Sequence, residues 1–108
     1  MFSLDDMVAA ALKAAQGNFP SSPRVVDFKF HRGEDSTGDA AVWIYVVLDD
    51  TTPASAKHFV RTQPIAEAIR TEIRKPVHLG GGTYMLDLVP YVYFVTQSEL
   101  QAVKAGES

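Results

Sequence analysis

The chain has 108 residues, and 13 aspartates and glutamates against 10 lysines and arginines leave a formal charge of −3. With 46% apolar residues and no cysteine, it has the composition of one ordinary domain with a core of its own. A disulfide framework, a cysteine-ligated metal centre and a thiol nucleophile are excluded, and the mild acidity counts against a strongly basic nucleic-acid binder on average.

Leu4, Met7, Val8, Ala11, Leu12 and Ala15 recur at the spacing of one helix face. Ser3 is placed as the N-cap, with Asp6 three residues on as in a capping box. Phe2 and Met7 are placed as a hydrophobic staple, and Gly17 with Asn18 marks the stop. Asp5 and Asp6 stand where a signal peptide would be basic, so the run Ala9 to Leu12 belongs to this helix. No stretch approaches the roughly 18 apolar residues of a membrane span. A cytoplasmic protein without membrane contact is expected.

After a loop over 19–23, Val26, Phe28 and Phe30 alternate with Asp27, Lys29 and His31, which predicts a half-buried strand. Gly33 to Asp39 reads as a turn. Ala40 to Leu48 is a strand with both faces apolar: Val42, Ile44, Val46 and Leu48 on one side, Trp43, Tyr45 and Val47 on the other. Thr52 as N-cap and Pro53 at the first helical position open a second helix. Pro64 is expected to kink or divide it near Arg61 to Gln63. Ile65, Ile69 and Ile73 carry its apolar face, and Pro76 ends it.

Val77 to Thr83 holds Gly80, Gly81 and Gly82 and reads as a flexible connection. Leu86 to Thr96 is the last strand. Pro90 inside it implies an edge position, a bulge, or a start at Tyr91. Thr96 and Glu99 have capping-box spacing, with Val95 and Leu100 as staple, before a short terminal helix. The predicted order is α-β-β-α-β plus that helix. It describes one α+β domain over 1–108, a single-layer three-stranded sheet with helices on one face.

This order resembles the KH fold in its type II arrangement and, more narrowly, the ribosome-binding factor A family. The resemblance is carried by Val25-Val26-Asp27-Phe28-Lys29-Phe30, the strand Val42 to Leu48, Ile69-Arg70-Thr71-Glu72-Ile73-Arg74 and Val89-Pro90-Tyr91-Val92-Tyr93-Phe94. It implies RNA or ribosome contact. The chain has no G-x-x-G loop of the kind that grips single strands in many KH domains, since Thr83 stands three residues after Gly80. Leu79-Gly80-Gly81-Gly82 stands where the family has an Ala-x-Gly kink.

Two surfaces are candidate sites. Glu34, Asp35, Asp39, Asp49 and Asp50 fall in a stretch without a base. Lys57, Arg61, Arg70, Arg74 and Lys75 then follow against only Glu67 and Glu72. That basic helix can meet RNA phosphates or an acidic partner, or its bases can pair within the helix, as Glu67 with Arg70 or Arg74. The second surface is the outer sheet face, with Trp43, Tyr45, Tyr91 and Tyr93 beside Val47 and Val95. It can stack bases, associate with a partner protein or a second copy, or lie under the terminal helix through Leu100 and Val103.

His31, His58 and His78 lack metal-ligand spacing, and Gly80 to Gly82 match no phosphate-binding motif. Asp49 and Asp50 are better placed to cap a helix than to hold a cation. No nucleophile elbow or paired catalytic carboxylate is present. The expectation is a non-catalytic binding module, RNA- or ribosome-associated, without cofactor, metal or small-molecule substrate. The alternative is a protein-interaction or regulatory subunit, homodimeric or bound to a partner encoded beside it, without nucleic-acid contact.

Overall fold

The computed structural model describes residues 3–20, 23–50 and 59–100. Helix α1 spans Leu4–Gln16 and starts on the capping box read from the sequence. Ser3 Oγ accepts the Asp6 N–H at 3.1 Å, and Asp6 Oδ2 accepts the Ser3 N–H at 3.0 Å. Its other end differs from a left-handed glycine cap. Gly17 stays right-handed at φ −64°, and the Gly17 and Asn18 N–H groups donate to Ala14 and Ala15 in a tightened last turn.

Strands β1 (Val25–Glu34) and β2 (Ala40–Leu48) pair antiparallel across the turn at Asp35–Asp39. Helix α2 (Phe59–Arg74) lies in the crossover to β5 (Val89–Thr96), which runs parallel to β2. A parallel neighbour needs such a crossover, so β2 becomes the central strand of the order β1-β2-β5. Pro90 therefore lies in an edge strand, where its missing N–H costs no ladder bond on the open side.

The core forms on one face of this sheet. Val42, Ile44, Val46 and Leu48 of β2 meet Val8, Ala11, Leu12 and Ala15 of α1 and Ile65, Ile69 and Ile73 of α2. Phe28, Phe30, Val92 and Phe94 fill in from the flanking strands. Both helices pack on that face because their apolar stripes have nowhere else to be buried.

Three expectations are corrected. Val26 does not face the helices: the register passes from Val25 opposite Leu48 to Asp27 opposite Val47, leaving Val26 as the extra residue of a bulge. Val25 packs on the core instead, and Val26 is 36% exposed. Pro64 does not divide α2, which runs unbroken through it. The proline is exposed and withholds one N–H from the helix ladder without ending the helix.

Gly80 to Gly82 are not a loose connection. Strands β3 (Val77–Leu79) and β4 (Gly82–Tyr84) form a hairpin with Leu79 opposite Gly82. Gly80 and Gly81 make its two-residue turn at φ 59° and 83°, the left-handed pair that twists a tight hairpin correctly. The strand β3 lies along α1 and buries Val77.

At the end of β5 the predicted capping box is present: Glu99 N–H donates to Thr96 Oγ1 at 3.2 Å and Thr96 N–H to Glu99 Oε1 at 3.4 Å. The helical turn it opens covers 97–100, and Ser98 N–H also donates to Asp50 Oδ1 at 2.8 Å. The expectations on Phe2, Thr52, Pro53, His58 and Val103 lie outside the described residues. Among the described residues, no helix is long and apolar enough to cross a membrane.

Candidate functional site

Alternation along three strands sends one set of side chains away from the helices. The register aligns them in rows across the sheet: His31, Trp43 and Tyr91 in one row, Lys29, Tyr45 and Tyr93 in the next, Asp27, Val47 and Val95 in the third. The four aromatic residues singled out in the sequence, Trp43, Tyr45, Tyr91 and Tyr93, thus stand together on the outer face. They come from two strands 40 to 50 residues apart, which only the parallel pairing brings side by side.

The rings are stacked rather than splayed. His31 lies on Trp43 with centroids 5.0 Å apart and planes 12° apart, and Trp43 lies on Tyr91 at 5.6 Å and 16°. Tyr45 lies on Tyr93 at 5.4 Å and 23°, and His31 reaches Tyr45 at 6.2 Å. Trp43 and Tyr45 are therefore flanked on both sides. Their faces are occupied and their edges point outward, while Tyr93 remains 46% exposed at the sheet margin. Val47 shares this face but is only 2% exposed, so it adds little to the accessible aromatic patch.

Two further residues shape the patch. Gly33 leaves room for the indole: a Cβ there would lie 3.3 Å from Trp43 Cζ3. Asp35 ties the β1–β2 turn to the aromatic row. Its Oδ1 accepts Thr37 N–H at 3.0 Å, Thr37 Oγ1–H at 2.6 Å and Asp39 N–H at 3.0 Å, and its Oδ2 accepts the Tyr91 hydroxyl at 2.9 Å. The hydroxyls of Thr37 and Tyr91 and these amide donors hold the Asp35 carboxyl down at about 2, so it stays ionised in neutral solution. The same bond, with partial burial and the nearby carboxylates of Asp35 and Asp39, pushes the Tyr91 phenol up and keeps it a donor.

In the sequence Gly33 reads only as a turn residue, and Asp35 only as a turn residue and one acid of a stretch without a base. The signal that could have found Asp35 is its spacing to Thr37, the pattern of a side chain capping the backbone two residues on.

Two bases of the basic segment are paired among the described residues. Arg70 pairs with Glu67 at 3.3 Å and Lys75 with Glu72 at 3.4 Å, each three residues apart, as in the intrahelical alternative. Arg74 is exposed and has no ion pair among the described residues. Lys57 and the Arg61 side chain lie outside the described residues.

His31 belongs to the aromatic stack and His78 faces Thr83 Oγ1 at 3.1 Å, on different sheets. Among the described residues no group of histidines and carboxylates could hold a metal ion. A shallow groove of 330 Å³ lies at the end of α2, lined by Ile73, Arg74, Met85, Leu88 and Val89 with Asp39 and Asp87. No general base and nucleophile face each other across it. Comparison with protein-family models, curated proteins and solved structures gives no match.

Proposed function

We propose that this chain is a non-catalytic protein-binding module that works through the outer face of its three-stranded sheet. The observation carrying the reading is the pair of aromatic rows on a sheet face opposite the helices, with Tyr93 46% exposed. A sheet needs apolar residues only on its core side, and a cluster of Trp and Tyr on the other side is the composition of a binding hot spot. Tyrosine and tryptophan add hydroxyl and indole N–H donors to a large apolar area, which suits a surface that alternates between water and a partner.

The RNA or ribosome contact implied by the family resemblance is less well supported. Base stacking requires free ring faces, and the faces of Trp43 and Tyr45 are covered by their neighbours. Phosphate binding favours clustered unpaired bases, and with Arg70 and Lys75 paired with glutamates only Arg74 of the described bases in this segment has no ion pair.

The test is capture of partners from native lysate, with and without RNase, using the wild-type chain, a Trp43→Ala/Tyr93→Ala variant and an Arg70→Glu/Arg74→Glu variant. The expected result is a protein captured equally after RNase and with the helix variant, and lost with the sheet variant. Loss after RNase, or loss with the helix variant alone, would overturn the reading in favour of RNA.

A further inference from the structure

The chemistry of the partner follows from what borders the aromatic rows. The row His31, Trp43, Tyr91 ends on a carboxylate, because the Tyr91 hydroxyl donates to Asp35. Asp39 stands beside it, its Oδ2 2.9 Å from the Thr37 hydroxyl oxygen, and it adds to the negative field at the Tyr91 hydroxyl. The stretch Gly33 to Ala56 contributes no base, and the one base that shares a groove with Asp39 is Arg74, on the helix side of the sheet end. At the other end of the face, Asp27 and Lys29 neutralise each other at 3.3 Å. The outer face is thus an aromatic patch with a negative lip at the β1–β2 turn and a neutral far end.

Resting on the reading above, we propose that the outer sheet face docks a cationic protein segment, with its apolar side chains on Trp43, Tyr45 and Tyr93 and its arginine or lysine at the Tyr91–Asp39 lip. Both halves of the contact are complementary. Tyr91 at the free margin of β5 offers a cation an aromatic neighbour, and Asp39 offers it an opposite charge. Asp35 contributes field rather than contact, since its oxygens are already engaged by the turn and by Tyr91. An acidic segment, or a nucleic-acid backbone, would be repelled at the same lip.

Two synthetic peptides of equal leucine and tyrosine content test this, one carrying arginine and the other glutamate at the same positions. Binding is followed by Trp43 fluorescence and by amide and indole NMR shifts. The arginine peptide is expected to move the signals of Trp43 and Tyr91, and the glutamate peptide to leave them in place. Asp39→Asn should weaken the arginine peptide roughly threefold, and Asp39→Lys roughly tenfold. Asp35 is left intact in these variants because it builds the turn.

Equal response to both peptides, no response to either, or affinity unchanged by Asp39→Lys would overturn the cationic assignment. A partner still captured through Trp43 and Tyr93 would then leave the sheet-face reading standing. Retention of the NMR shifts in Trp43→Ala/Tyr93→Ala, or shifts confined to α2, would overturn both.

Discussion

The hydroxyl of Tyr91 donates to Asp35 Oδ2 at 2.9 Å, joining the edge strand β5 to the β1–β2 turn over 56 residues of sequence. One carboxylate thereby orders the turn and fixes the end of the aromatic row. Its depressed pKa links folding to pH with a definite sign. The contribution is fully present above the unfolded value near 3.8 and is lost as pH falls through the folded value of about 2. The wild-type chain should lose stability between these values more steeply than Asp35→Asn, as read from urea midpoints. Tyr91→Phe should move the Asp35 carboxyl back toward its ordinary value in a ¹³C titration.

Gly33→Ala tests the packing of the ladder without removing a ring. The added methyl would sit 3.3 Å from Trp43 Cζ3, so the indole must shift by a few tenths of an ångström on its neighbours. The near-ultraviolet dichroism of the stacked rings should change, and partner affinity should fall. Stability should stay within about 1 kcal/mol, as for a substitution at an exposed position. An unchanged aromatic spectrum would count against the tight Gly33–Trp43 approach.

Ile69 is fully buried between α2 and the central strand. Ile69→Ala should cost about 2–5 kcal/mol, a large share of the roughly 5–15 kcal/mol that holds a small domain together. Ile69→Val should cost about 1 kcal/mol. Urea denaturation of the pair measures both, and equal midpoints would show that the site relaxes around a smaller side chain.

The β3–β4 turn gives an independent check on the hairpin. Gly81 has φ 83° and open space where a Cβ would project, so Gly81→Ala meets backbone strain and no clash. It should destabilise the chain by about 1 kcal/mol. Gly81→Asn, which tolerates the left-handed region, should recover most of that. Indifference to both substitutions would mean that the hairpin adds nothing to global stability.

Much of this fold was legible in the sequence because its signals are local. Ser3 with Asp6, Thr96 with Glu99, the isoleucines spaced by four and the alternation through Ala40–Leu48 each depend on a few neighbouring residues. Their predicted elements stand where periodicity placed them. The turn at Gly80–Gly81 was missed because three glycines permit a tight left-handed pair as readily as a loose loop. The short strands on either side, Val77–Leu79 and Gly82–Tyr84, hold too few residues for a period to show. The bulge at Val26 was equally hidden, because register is a property of two strands and two consecutive valines satisfy either one.

The sequence by itself determined that α1, α2 and the three strands of the main sheet exist, the two-sided apolar character of β2 and the list of outward aromatic residues, since side-chain alternation follows from strand geometry alone. Only the tertiary structure decided that β5 pairs parallel to β2, which sets Trp43 against Tyr91 and Tyr45 against Tyr93 and turns separate rings into a stack. It also decided that Arg70 is engaged by Glu67 of its own helix, and that Asp35, a turn residue in the sequence, ends the aromatic row. The physical reason is the same in each case. Short-range patterns specify which face a residue takes, whereas its neighbours on that face come from strands brought together by burying a common core.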